Sequence, residues 1–188
     1  MQAAAVILAA GSSTRFGSPK QLARIGGVTM LERVIGIAGD AGLDPIIAVV
    51  PPGLGVPDHV VVVVNGKPAD GLSRSLRLGL QAVSADVETA VILLGDQPTV
   101  AVDTLGALLA EASSTDRPVV AAHADGHIGP PVVLTRAAFG LADQVTGDEG
   151  LRGVLERHSD LVAMVEVGAH APDVDTPSDL DALPEKRA

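Results

Sequence analysis

The sequence predicts an α/β layer fold, a sheet covered by helices on both faces. Short runs of aliphatic residues alternate with helical patterns along the chain. Several runs, such as AAAVILAA at 3–10, are apolar at every position, as strands buried on both faces require. The 188 residues are 47% hydrophobic, enough for one packed domain spanning 1–188.

In chain order, strands are expected at Ala4–Ala10, Pro45–Val50, Val60–Val64, Ala90–Leu94, Val119–Ala122, Val132–Leu134 and Val162–Val167. Helices are expected at Met30–Ala41, Ser73–Val83, Val102–Ala112, Ala137–Val145 and Gly150–Arg157, with a short one from Pro177. Asp103, Asp148 and Thr176 sit where an oxygen side chain caps free amides. Pro51, Pro52, Gly53, Gly55 and Pro57 mark the strongest loop, which joins two strands rather than two domains. Asp125-Gly126 reads as a turn between strands, which sets His123 and His127 apart from a helical metal-ligand pair. His59, His158 and His170 are isolated, and surface or boundary positions are expected for them.

Composition removes several function classes. With no cysteine there are no disulfides, thiol nucleophiles or thiolate metal sites, which fits a reducing compartment. A formal net charge of −10, no basic tract and only two aromatic residues, both phenylalanine, argue against extended nucleic acid as a partner. MQAAAVILAA lacks the positive flank of a signal peptide, and no apolar run reaches the roughly 18–20 residues of a membrane span. A cytoplasmic protein without a membrane partner is expected.

Two polar motifs follow predicted strands directly, at the edge where open α/β sheets bind ligands. The first is GSSTRFGSPKQL at 11–22. It matches neither the P-loop nor the dinucleotide fingerprint. Gly11 and Gly17 let backbone amides approach an anion, Ser12 and Ser13 add donors, Arg15 a fork and Lys20 a point charge. The alternative is a glycine-rich turn with solvated cations. The second is LLGDQP at 93–98, whose Asp96 is either a strand-end carboxylate that has to be paired, hydrated or bound to metal, or an Asx-turn or cap residue. DVDTPSDL at 173–180 adds Asp173 and Asp175 ahead of a helix start. Thr176 and Asp179 fit a cap, while Asp96 and Asp175 are able to share a Mg²⁺ with phosphates. GDEGLRGVL at 147–155 reads as a helix capped by Asp148. Ser73, Arg74, Ser75 and Arg77 form either exposed helical turns or a helix N-terminus facing a ligand. No G-x-S-x-G elbow is present.

Together with NGKPADGLSRSLRLGL and GPPVVL, these motifs resemble, in order, those of the MobA-like nucleotidyltransferases. They are most similar to the molybdenum cofactor (molybdopterin) cytidylyltransferases. The resemblance implies a single-domain, Rossmann-like, glycosyltransferase-A-like fold with a mixed, mostly parallel sheet. It implies Mg²⁺-dependent transfer of a nucleotidyl group from an NTP to a phosphate-bearing acceptor, with pyrophosphate released. Leu8, Ala9, Ala10, Gly11 and Ser12 would line the nucleotide, with Asn65, Gly71 and Ser75 on its base side. Arg15 and Lys20 would grip the triphosphate, and Asp96 and Asp175 would bind the metal, Asp96 close to the ribose. In this family LAAG accompanies cytidine, so Ala10 favours CTP. GDEGLRGVL would border the acceptor pocket, and Gly129, Pro130 and Pro131 would adjoin the acceptor. The cofactor-type enzymes usually read Gly-His-Pro there, so Pro130 removes a histidine donor, with His127 close in sequence. Other acceptors are therefore a sugar, polyol or other small phosphate; a non-catalytic nucleotide-binding role is the remaining alternative. A molybdopterin acceptor further implies transient contact with a molybdoenzyme or its chaperone.

Overall fold

In the computed structural model, which describes residues 2–11, 13 and 16–183, the expected alternation becomes a seven-stranded sheet and a separate hairpin. The strands are β1 (Ala3–Leu8), β2 (Arg24–Ile25), β3 (Val28–Thr29), β4 (Ile46–Val50), β5 (Val61–Val64), β6 (Thr89–Leu94), β7 (Val119–Ala124), β8 (His127–Thr135) and β9 (Val162–Glu166). The α-helices are α1 (Met30–Asp40), α2 (Leu72–Gln81), α3 (Val102–Ser114), α4 (Arg152–Arg157) and α5 (Pro177–Asp181). The sheet order is β5-β4-β1-β6-β8-β7-β9.

Strand direction decides what meets at the sheet edge. Every pairing in the main sheet is parallel except the two made by β8, with β6 and with β7. The carboxyl ends of the other six strands therefore share one edge, and the reversed β8 brings its first residues, from His127 onward, to that edge. Within β8, Pro130 and Pro131 have no amide to donate to a ladder. Pairing with β6 stops at Val132, and the β7 register jumps from Val132 to Gly129 between Ala121 and Ala122.

The uniformly apolar strands are explained by two cores. From β1, Ala4, Val6 and Leu8 pack on one face with Leu76 and Leu80 of α2. Ala3, Ala5 and Ile7 pack on the other, with Leu31, Val34 and Ile35 of α1 and Leu105 and Leu108 of α3. At the sheet edge β5 departs from this pattern and leaves Val61, Val62 and Val64 exposed.

Local signals set the ends of elements. Thr29 Oγ1 accepts from Glu32 N (3.1 Å) and Glu32 Oε2 accepts from Thr29 N (2.7 Å), a capping box that starts α1. Gly26 and Gly27 both have positive φ and turn β2 into β3, a hairpin for which Gly-Gly is a sequence signal. Asp125 and Gly126, at φ 52° and 77°, make the turn expected between β7 and β8. The helix expected over Ala137–Val145 is instead a 3₁₀ segment, Arg136–Gln144. Its buried Ala138 and Leu141 are three apart, a spacing that a 3₁₀ turn serves as well as an α-helix. No helix among the described residues is long and apolar enough to cross a membrane.

Helix α2 lies unusually close to the sheet. A Cβ added to Gly79 would stand 2.4 Å from Val6 Cγ1 and 3.0 Å from Val49 Cγ2. Gly79→Ala is therefore expected to destabilise the protein by about 1–3 kcal/mol through overpacking, despite the higher helix propensity of alanine. Urea unfolding checks this, and an unchanged midpoint would contradict the close approach.

Candidate active site

The edge defined by β1, β4 and β6 is closed by backbone contacts. Ala9 N donates to Val49 O (2.8 Å) and Gly95 N to Leu8 O (2.9 Å). A side chain at Gly95 would put its Cβ 2.7 Å from that of Ala9, so this contact requires glycine. The chain beyond β1 is held by Gln21, which is buried and donates through Nε2 to Ala9 O (2.8 Å) and Gly11 O (3.1 Å). Ser13 donates to Gln21 Oε1 (3.3 Å) and its Oγ accepts from Lys20 N (3.1 Å). These bonds turn Lys20 inward.

Lys20 is only 8% exposed, a position a lysine takes only when paired. Its Nζ lies 2.7 Å from Asp96 Oδ2 and 2.9 Å from Asp175 Oδ1. Burial pushes the Lys20 pKa down, but the hydrogen bonds to Asp175 and Asp96 and their charges outweigh it and hold the ammonium above its ordinary value. Asp96 follows β6 through Gly95, and Val174 N donates to Asp96 O (2.9 Å), which fastens the 173–175 segment beside it. Asp179 Oδ2 accepts from Asp175 N (3.0 Å) and Thr176 N (2.8 Å), so the cap of α5 fixes the backbone that presents Asp175. Thr176 and Asp179 start the helix, as the cap reading has it, and Asp175 meets Lys20 beside Asp96.

Asp173 is an exposed residue, and Gln97 Nε2 donates to its Oδ1 at 2.9 Å. Desolvation of its carboxyl, reinforced by the charges of Asp96 and Asp175, raises its pKa against the opposing pull of Gln97 and Lys20. Among the described residues no group of three acidic or histidine side chains stands ready around a metal. The arrangement is a pair of carboxylates facing one cation.

Leu8, Ala9, Ala10, Gly11, Lys20, Gly71, Ser75, Asp96 and Asp175 line a single cavity of about 560 Å³. Asn65 stands behind it, fully buried. Its Nδ2 donates to Ser75 Oγ (3.0 Å), and its Oδ1 accepts from Lys67 N (3.0 Å) and Arg74 Nε (3.1 Å). Gly71 has φ 86°, and a Cβ there would meet the Gly147 backbone at 2.5 Å. Asp148 does not cap the helix that follows it. Its Oδ1 accepts from Leu72 N (3.1 Å), and Gly147 O accepts from Ser73 N (3.0 Å), so two free amides of α2 are taken by the protein itself. Ser12 and Arg15 lie outside the described residues.

Pro130 and Pro131 do not line the large cavity. They wall a second one of about 180 Å³, and Gly129 lies under the ring of His170. His127 pairs with Arg152 (Nδ1 to NH2, 2.7 Å) and His123 with Glu166 (2.6 Å), so neither histidine joins the carboxylate cluster. Gln21, Gly95, Gln97 and His170 were given no role from sequence. The first three stand inside the quoted motifs, which is the signal available for them.

Residues 5–162 match the MobA-like NTP transferase domain, and the chain belongs to that family. Rv0371c from Mycobacterium tuberculosis H37Rv is 31% identical with a TM-score of 0.82, covering 96% of both chains. A structure of Rv0371c in complex with manganese superposes with a TM-score of 0.79 at 28% identity, again over 96% of each. A nucleotidyl transferase from Methanothermobacter thermautotrophicus is 25% identical, with a TM-score of 0.74 over 95% of this chain and 94% of that one. The bifunctional protein GlmU of Hyphomonas neptunium is 34% identical over 113 residues, 55% of this chain. The chain spans only 24% of that curated relative's length.

Removing the shared cation leaves two partly buried carboxylates facing each other. Lys20→Met is expected to cost about 1–3 kcal/mol at neutral pH in the ligand-free protein. Asp96→Asn added to it should recover part of that loss. A double variant that is no more stable than the single one in urea unfolding would speak against the triad.

Proposed function

We propose that the chain transfers a nucleotidyl group from an NTP, CTP favoured, to a phosphate acceptor, with molybdopterin the first candidate. The observation that carries this reading is the Lys20 ammonium clasped by Asp96 and Asp175 at the rim of a 560 Å³ cavity. The site stands at the carboxyl ends of β1 and β6, the usual ligand edge of such sheets.

In this mechanism an acceptor phosphate oxygen attacks the α-phosphorus as the bond to the bridging oxygen breaks. Pyrophosphate leaves with that electron pair. The chain forms no covalent intermediate, and its residues act by positioning and charge. Backbone from Leu8 to Gly11 lies along the nucleotide, Gly71 and Ser75 face the base, and Asn65 orients Ser75. Lys20, with Arg15 from the first loop, neutralises charge that grows on the departing pyrophosphate.

Asp96 and Asp175 fit a divalent metal: both reach one cation, and two carboxylates completed by phosphates suit Mg²⁺. Such an ion, when bound, supplies Lewis-acid polarisation of the phosphates. Lys20 then has to leave the carboxylates, and the triphosphate is the anion that receives it. Ala10 supports cytidine over guanosine. Pro130, in place of a histidine donor, favours a second reading in which the acceptor is a sugar or polyol phosphate.

Thermal melts with Mg²⁺ and each of CTP, GTP, ATP and UTP test the reading. A ligand at a hundredfold excess over its Kd adds about 2.7 kcal/mol, and CTP is expected to give the largest shift. No shift with any nucleotide would overturn the proposal. Asp96→Asn is expected to abolish pyrophosphate release while the protein stays folded. Lys20→Met should bind Mn²⁺ alone more tightly than the parent, because no ammonium competes, yet lose CTP affinity at least tenfold. Titration calorimetry reads both, and weaker Mn²⁺ binding would contradict the exchange.

A further inference from the structure

The seven-stranded sheet ends on β5 at one side and β9 at the other, and the two edges are finished differently. An open edge strand offers a row of unpaired amides and carbonyls, and native chains guard it with charge, proline or a bulge. On β9, Glu166 supplies a charge and pairs with His123. Strand β5 reads VVVV, with no charge, proline or bulge within it. Val61, Val62 and Val64 are 46%, 47% and 53% exposed. They are half of the large hydrophobic residues that the described chain leaves exposed, gathered on one short strand.

The ladder fixes which backbone groups are free. β5 runs parallel to β4 with Val64 beside Val50, and Asn65 N donates to Val50 O (2.8 Å). Backbone groups alternate in direction along a strand, so Val61, Val63 and Asn65 turn theirs to β4 while Val62 and Val64 turn theirs outward. No hydrogen bond from another described residue reaches those outward groups. Apolar side chains flank them on both faces of the sheet. Val61 stands on the face of Ile47, and Val62 and Val64 stand on the face of Ala48 and Val50.

Charge at the two ends of the strand decides the direction of a partner. Asp58 precedes β5 and Lys67 follows it, both exposed, and neither is in an ion pair among the described residues. A parallel copy would set Asp58 against Asp58 and Lys67 against Lys67. An antiparallel copy brings Asp58 of each chain to Lys67 of the other, twice by symmetry.

We propose that this edge is a self-association surface, on which β5 pairs antiparallel with β5 of a second copy about a two-fold axis at Val63. Val62 and Val64 of one chain then face Val64 and Val62 of the other, and each of these pairs exchanges two N–H···O bonds. The exposed valines cover one another on both faces, and the two sheets become one. A two-fold contact uses the same edge on both copies, so assembly closes at the dimer. The contact is short and stands at the small end of specific interfaces, so the association is reversible.

Sedimentation velocity on the full chain, from micromolar to submillimolar concentration, measures the association. Salt at about 0.15 M screens the net negative charge of the two copies. A monomer–dimer equilibrium is expected, with no larger species. In the dimer the amides of Val62 and Val64 should exchange with solvent at least tenfold more slowly than in the monomer, while those of β9 keep their rates. Val62→Lys and Val64→Pro should each raise the dimer Kd at least tenfold. Both spare the ladder to β4, because the Val62 side chain is exposed and the Val64 amide points away from β4. Asp58→Lys should weaken the dimer as well, and adding Lys67→Asp should recover it. A monomer at every concentration, growth beyond the dimer, protection on β9 instead of β5, a Kd that Val62→Lys leaves unchanged, or a charge swap without recovery would each overturn the proposal. A chain that stays monomeric while an extended valine-rich peptide slows exchange at Val62 and Val64 would give the edge to a foreign strand and overturn it too.

Discussion

The contact of Lys20 with Asp96 and Asp175 organises the functional edge of this protein. It joins segments 76 and 155 positions apart, at N–O distances of 2.7 and 2.9 Å. None of the three groups is comfortable alone. A lysine at 8% exposure without partners would lose its charge, and two adjacent carboxylates without a cation would repel. Exposed ion pairs contribute little, whereas a pair withdrawn from water is set by what neutralises it. The same three residues therefore close this edge of the structure.

The scaffold earns that geometry by close backbone approach. Gly95 lets β1 and β6 meet at their ends, Gly71 lets the start of α2 touch the 147–148 segment, and Gly79 seats α2 on β1 and β4. Gln21 then fills the hydrogen bonds that Ala9 and Gly11 leave at the end of β1. A loop rich in glycine and serine becomes a defined path because one buried amide holds it. The reversed strand β8 has a comparable effect on the other side, since only a reversed strand brings its first residues to an edge made of carboxyl ends.

Much of the fold was legible along the chain. Uniformly apolar strands spoke for a sheet covered on both faces, and the two cores on β1 bear that out. The turn at Asp125-Gly126 and the cap at Thr176 are local chemistry and were read locally. The 3₁₀ segment Arg136–Gln144 stands where an α-helix is expected over Ala137–Val145, and its buried Ala138, Leu141 and Ala142 lie at spacings of three and four that suit an α-helix as well. Asp148 was assigned to the helix that follows it, while it serves α2, 76 residues earlier. A cap acting across the fold leaves no pattern in its own neighbourhood.

By itself the sequence determined the class of fold, the order of the motifs and the residue types able to hold phosphate and metal. Those follow from periodicity, side-chain chemistry and family resemblance. Only the tertiary structure decided which of those residues share one space. It put Lys20 between two aspartates, set Asn65 behind Ser75 rather than in the cavity, and carried Pro130 and Pro131 to a separate hollow beside His170. The reason is physical: burial and pairing depend on what arrives from distant segments, and no window of neighbouring residues contains that information.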